Sequence, residues 1–261
     1  MRVTAPGDLF SGAVRSDPTL LHRPTSKHLD MRALIVLFAA IMTAGLGQGP
    51  VDEVRQMAAD ARKDVETYKT AGGAPGTAEH PANKWSAALW QVHERAPKSD
   101  AGASAAVEAI RLLVRAELWD GAHARVESLD LDSAAWERVA SVVYEEGVAR
   151  KSFDYTIATL SRTAATTKTP SIKSAALIVI GRVHRRQGDL PAATRSLEEA
   201  RAAAPGTPQA EDADGLIYEI KYLSVGLPAP AIAGKPRNAR RAISLDAFRG
   251  KPVVLVFWGS T

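Results

Sequence analysis

The residues able to do chemistry are few. There is no cysteine among the 261 residues, which excludes a thiol nucleophile, a disulfide framework and a Cys-based zinc site from the chain itself. The six histidines are His22, His28, His80, His93, His123 and His184. None has a partner at the His-Glu-x-x-His spacing that puts two imidazoles on one helix face, so no metal-ligand set is expected. No Ser-His-Asp arrangement stands out. Glu145-Glu146, and Glu198-Glu199 with Arg195 and Arg201, read as solvated helix faces carrying pairs three or four residues apart. Trp85, Trp90, Trp119 and Trp136 fall at helical spacing and read as core. Gly45-x-Gly47-x-Gly49 has no strand before it, so it is not a phosphate-binding loop. The residues present therefore predict no catalytic, cofactor-binding or metal site.

Charge narrows the partners. The net charge of +4 is uneven: residues 1–50 carry about +2, residues 51–234 about −3 and residues 235–261 about +5. No basic stripe interleaved with aromatics runs along the helical part, which argues against nucleic acid. The cluster Lys235, Arg237, Arg240 and Arg241 reads as a solvated loop.

Helices must position whatever site there is. Val51 to Lys69 places Val54, Met57, Ala58, Ala61, Val65 and Tyr68 on one face, the three- and four-residue step of an amphipathic helix. The Gly/Pro-rich stretch from Ala71 to Thr77 reads as a flexible link. A second helix carries Trp85, Ala88, Leu89 and Val92 and ends before Pro97. A third runs from Ala105 to Ala116, with Val107, Ile110, Leu113 and Val114 inward. Its partner, Gly121 to Leu129, turns in Ala122, Ala124 and Val126. The next hairpin opens on Trp136, Val139, Ala140 and Val143 and closes on Tyr155, Ile157, Ala158 and Leu160. Thr163 to Pro170 reads as a loop, and Asp212 to Leu223 as a closing helix.

Ser174 to Thr207 resembles a tetratricopeptide repeat. Leu177, Ile180, Gly181 and His184 stand at the positions of its first-helix signature, Gly188 at its turn, and Ala193, Leu197, Ala200 and Pro205 at those of the second helix. Gly181 and Ala193 are small, as a close helix crossing requires, and His184 takes a packing role. Pro205 stops the second helix because its ring and missing N–H cannot continue the ladder. One such unit cannot bury its face alone, so neighbouring hairpins must stack on it.

At the C-terminus, Val253 to Phe257 is a continuous apolar run bounded by Gly250-Lys251-Pro252 and Gly259-Ser260, the pattern of a strand buried on both faces. With Val225-Gly-Leu-Pro-Ala-Pro230, Ile232 and Ser244-Leu-Asp-Ala-Phe-Arg-Gly250, it resembles the opening of thioredoxin-like proteins of the TlpA and AhpC/TSA (redoxin) type. The resemblance covers residues 224–261. It implies a redox cysteine just after Thr261, hence no catalytic residue within this chain and no cofactor.

The expected fold is mostly α: tetratricopeptide-like hairpins over residues 51–223, then the truncated start of a thioredoxin-like α/β domain over 224–261. The expected function is that of an exported thiol–disulfide oxidoreductase or peroxide-reducing redoxin whose redox centre lies beyond the chain. The alternative is a non-enzymatic helical scaffold for protein–protein interaction. Either reading gives the repeats a protein partner or protein disulfide substrate.

Residues 1–30 read as a disordered or mis-assigned leader, and 31–48 as a signal peptide: Met31-Arg32, then fourteen apolar or small residues from Ala33 to Leu46. That run is short of the roughly 20 residues needed to span a bilayer. The protein is then periplasmic or secreted, with no membrane span beyond the signal segment; the alternative is a signal anchor with a short cytoplasmic tail. Mass spectrometry of the exported protein is expected to show a mature start between Gly45 and Val51; a mature chain beginning at Met1 contradicts the signal.

Overall fold

The computed structural model describes residues 49–231, 233–234 and 243–256. The leader, the signal segment, Ile232, the cations at Lys235, Arg237, Arg240 and Arg241, and Phe257 to Thr261 lie outside the described residues. The described part is mostly helical. Its helices are α1 (Pro50–Thr70), α2 (Ala82–Arg95), α3 (Asp100–Arg115), α4 (Trp119–Ser128), α5 (Trp136–Arg150), α6 (Asp154–Thr166), α7 (Pro170–Arg186), α8 (Leu190–Ala203) and α9 (Pro208–Tyr222).

The helices form two layers. The odd-numbered ones touch in sequence, α1 on α3, α3 on α5, α5 on α7 and α7 on α9. Each even-numbered helix packs against an odd-numbered neighbour, most closely α2 on α3 and α8 on α7. One apolar core runs through the stack, from Val54 and Met57 through Ile110, Trp136, Val139 and Leu160 to Leu197, Ile217 and Ile220.

The tightest crossing is that of α7 on α8. A Cβ built on Gly181 would lie 2.8 Å from Leu197 Cγ and 3.3 Å from the Ala193 carbonyl, so only glycine fits, as its spacing predicts. Ser174 Oγ donates to the Ala200 carbonyl at 2.8 Å and ties the same two helices. Helix α8 ends at Ala203, before Pro205, and Gly206 takes φ 74° to turn the chain into α9.

Several expectations need correction. Helix α3 begins at Asp100, not Ala105, because Ser99 is a true N-cap: its hydroxyl accepts from the Gly102 amide at 3.0 Å, satisfying a first-turn donor. Thr163 to Thr166 close α6 instead of forming a loop. Thr163 is buried and back-bonds its hydroxyl to the Thr159 carbonyl at 3.0 Å. Helix α9 starts at Pro208, four residues early, capped by the Thr207 hydroxyl. Ala124 and Ala158 face solvent. Ala124 is two residues from the buried Ala122 and Val126, on the opposite side of a helix. In α6 the inward positions near Ala158 are Thr156, Thr159 and Leu160.

The link from Ala71 to Thr77 is pinned. Tyr68 Oη shares a 2.8 Å hydrogen bond with Thr77 Oγ1, the Tyr68 ring covers Gly73, and the Gly76 amide donates to the Ala116 carbonyl at 2.8 Å. A second anchor is Asp132. Its Oδ1 accepts from Thr167 Oγ1 at 2.8 Å, the Lys168 amide at 2.9 Å and Thr169 Oγ1 at 3.3 Å. The Lys168 amide, then the Thr167 hydroxyl, hold that carboxyl below the usual aspartate range. The α4–α5 loop is thereby joined to the α6–α7 loop.

Past α9 the order changes. The two-residue strands β1 (Ala233–Gly234) and β2 (Ile243–Ser244) pair antiparallel, Ala233 opposite Ser244, and a 3₁₀ turn follows over Leu245–Phe248. The expected buried strand does not form over its described residues. Val253 to Val256 belong to no sheet, and Val254 is 86% exposed. The physical reason is a missing neighbour: a strand buried on both faces requires flanking strands and covering helices, and the described residues after α9 offer only a two-residue pair.

Deleting the residues after Leu223 is expected to leave helical content and unfolding cooperativity unchanged and to raise solubility, because it removes an exposed apolar run. Circular dichroism with thermal melting checks this. Loss of the cooperative transition would show that the C-terminal segment completes the helical core.

Candidate functional site

The most unusual chemistry within the fold lies where α4, α5 and α6 meet. Glu146 on α5 was expected at the surface; it is 2% exposed, so that expectation is overturned. It falls seven residues after Val139 and three after Val143, in phase with the inward stripe. That phase was the available signal, outweighed by the usual preference of a Glu-Glu pair for water. Glu145 next to it stays half-exposed and lies 4.0 Å from Arg115.

Two helices supply the partners of Glu146. His123 Nε2 on α4 and Arg150 on α5 each lie 3.0 Å from Glu146 Oε1. The second oxygen, Oε2, is buried without a hydrogen-bond partner. The Tyr155 ring of α6 stacks on His123 at 3.6 Å and 17°, and its buried hydroxyl also has no partner. Burial pushes the Tyr155 phenol up to about 12, and the carboxylates of Glu127 and Glu146 add to the shift. Thr159 and Arg162 oppose it, Thr159 from outside hydrogen-bonding geometry. Trp119 at the start of α4 lies under the Arg150 guanidinium at 5.8 Å.

Gly147 makes the approach of α6 possible. A Cβ there would lie 2.6 Å from both Phe153 Cδ1 and Thr156 Oγ1. Thr156 uses the space to donate to the Val143 carbonyl at 3.1 Å.

An ionised carboxylate accepts hydrogen bonds, and guanidinium only donates them. The His123–Glu146 bond therefore ties α4 to α5, and the Tyr155 ring stacked on His123 packs α6 against the pair. A carboxylate beside an imidazole also resembles the orienting half of a hydrolytic triad. No hydroxyl nucleophile bonds to His123 among the described residues, so the geometry is that of a tie.

The other histidines hold structure. His80 is buried, its Nδ1 accepts the Ala82 amide at 3.1 Å, and its ring meets Tyr68 edge-on. Burial, then the nearby Lys69, holds its pKa below the ordinary histidine value, which suits an accepting nitrogen. His93 Nδ1 lies 3.1 Å from the Gly102 carbonyl, and the ring packs on Trp90. His184 is half-buried at the end of α7. His22 and His28 lie outside the described residues.

Trp90 and Trp136 are core as expected, while Trp85 and Trp119 are half-buried. Trp85 donates to Asp64 at 2.8 Å. Arg201 does not pair within α8; it reaches Asp214 of α9 at 3.0 Å, and Glu198 reaches Lys221 of α9 at 3.6 Å. Those charges hold neighbouring helices together instead of decorating one face.

Two open clefts flank the tie. One, of about 490 Å³, lies between the α5–α6 turn at Lys151 and Phe153 and the end of α7 at Arg186; the other, of about 310 Å³, lies by Trp119, Asn83 and Glu117. No group of three metal-ligating side chains occurs among the described residues. No described helix is long and apolar enough to cross a membrane.

Glu146→Ala is expected to cost about 2–4 kcal/mol, because it leaves His123 and Arg150 beside a void. His123→Ala should cost about 1 kcal/mol, since Arg150 still satisfies the carboxylate. Urea unfolding of the two variants checks the order; equal losses would show that His123 is as necessary to the tie as the carboxylate. Compared with known protein families, curated proteins and solved structures, the chain matches none of them.

Proposed function

We propose that the helical domain is a scaffold that holds a protein partner or substrate next to a thioredoxin-like redox module that begins after α9. The observation that carries this reading is the change at the end of α9. Up to it, the large apolar side chains of the described residues are buried or half-buried, apart from Leu190, Tyr218 and Tyr222. After it, Val225, Leu227, Phe248 and Val253 to Val256 are exposed. An apolar run of that composition is costly to leave in water, and its resemblance to the strand leading to a redoxin active site says what would bury it. The 3₁₀ turn at Leu245–Phe248, opened by the Ser244 hydroxyl accepting from the Asp246 amide at 3.3 Å, stands where that family turns into the strand.

In the complete protein a thiolate, activated by its neighbours, would attack a protein disulfide or a peroxide. None of the residues present performs that step. Their part is to fold the stack and to place the module. The signal-like segment would carry the protein out of the cytoplasm, where such chemistry has disulfide substrates.

The reading frame past the Thr261 codon is expected to encode Cys-x-x-Cys, or a single cysteine, at once. The product of the extended frame is expected to reduce insulin disulfides or hydrogen peroxide with a thiol donor. A stop codon after Thr261 would sink the redox reading and leave a scaffold.

A further inference from the structure

The cleft between the α5–α6 turn and the end of α7 carries two charges that the fold does not use. Lys151 lines it from the turn and Arg186 from the last residue of α7. Both are exposed, and neither forms an ion pair with another described residue. Their neighbours differ. Arg150, Arg182 and Arg185 are all paired, with Glu146, Asp212 and Glu219. The one carboxylate on the cleft wall, Asp154, accepts the Ser152 hydroxyl at 3.1 Å and pairs with neither cation. Residues 51–234 together carry about −3, so two unpaired cations facing one hollow reverse the local sign. A cleft lined by one sign of charge concentrates the opposite sign.

The walls are fixed before any ligand arrives. The Lys151 amide donates to the Val148 carbonyl at 3.3 Å and the Ser152 amide to the Gly147 carbonyl at 3.1 Å. These bonds close the end of α5 and hold Lys151 in the left-handed region at φ 56°. Phe153 packs over the bare backbone of Gly147, and its ring stacks on Tyr144 at 5.6 Å and 24°. Phe153 and Val148, both half-buried, give the cleft an apolar wall beside its cations. A carboxylate on a short alkyl stem matches both parts. The volume of about 490 Å³ falls within the roughly 300–1,000 Å³ of ligand sites. Small-molecule sites enclose most of their ligand in apolar walls. This cleft is open and its rim is charged, which favours side chains of a polypeptide lying across it.

We propose that the cleft binds an acidic segment of a partner protein, with carboxylate side chains seated on Lys151 and Arg186 and their stems against Val148 and Phe153. The proposal rests on the scaffold half of the function above and not on the redox module. The Arg186 guanidinium can offer a carboxylate two parallel donors, and the Lys151 ammonium adds a mobile point charge, so a pair of nearby acids engages both.

The probe is a fluorescein-labelled Glu-Glu-Leu-Glu-Glu peptide amidated at its C-terminus, with a Gln-for-Glu peptide as control, titrated with the full chain. Fluorescence anisotropy is expected to show binding of the acidic peptide alone, weakened in half-molar salt. Lys151→Gly/Arg186→Gln should weaken binding about tenfold, the factor lost with two exposed ion pairs. Glycine is the substitution at Lys151 because it adopts positive φ without strain. Arg185→Gln removes the same charge as Arg186→Gln from the adjacent residue, whose pair with Glu219 lies outside the cleft, and should leave binding unchanged. Unchanged helical circular dichroism excludes misfolding as the cause of any loss. Equal weakening by Arg185→Gln and Arg186→Gln would show diffuse attraction to the end of α7 and overturn the proposal. Absence of binding, or full-strength binding to the double variant, also overturns it and leaves the scaffold reading to stand on another surface. Displacement of the peptide by inorganic phosphate more readily than by free glutamate, at equal ionic strength, would assign the cleft to a phosphate-bearing ligand instead.

Discussion

Helix α7 has almost no solvent face until its last turn. Ile172 and every residue from Ser174 to Gly181 are buried, as is Val183, and α5, α6, α8 and α9 all pack on it. A helix that is apolar on every side is stable only inside a shell of others. The two-layer arrangement follows from that constraint. The hairpin α7–α8 covers one side, α5 and α6 cover another, and α9 closes the stack. Gly181 sets how near the shell comes. Any side chain there would displace Leu197, and with it the packing that holds α8.

The helical part was legible because its period is strong. The Gly181–Ala193–Leu197 pattern even marks which helices cross most closely. Boundaries were less legible where a cap or a polar residue decided them. Ser99 starts α3 by bonding the Gly102 amide, a local bond that apolar spacing does not register. The threonines of α6 look like loop residues by type, yet the buried hydroxyls of Thr156 and Thr163 each find a carbonyl within the helices. Strand formation at Val253 was misjudged because a strand's stability lies in its neighbours, and no local pattern supplies them.

Glu146 shows why the tie was hidden. Residue type argued for solvent, while phase argued for the core. A carboxylate can follow phase only when its charge is matched. Here Arg150 comes from one turn along the same helix, whereas His123 comes from another helix, 23 positions earlier in the chain. Such a match cannot be read from one helix alone. Buried ion pairs often add little net stability compared with apolar packing. What this one adds is geometry: the carboxylate accepts only donors presented at the right height, which sets the register of α4 against α5.

The Asp132 anchor has a consequence for how the molecule tolerates change in length. Surface loops usually accept added residues. The 167–169 stretch is short, exposed and rich in threonine, and by composition it would be chosen as a place to insert a tag or a graft. All three of its residues direct a hydroxyl or an amide to one carboxylate oxygen on another loop. An added residue there would misalign at least one donor and release the α4–α5 loop along with its own. The safer place for an insertion is the α8–α9 turn at Pro205 and Gly206, where Gly206 meets no neighbour within 4 Å.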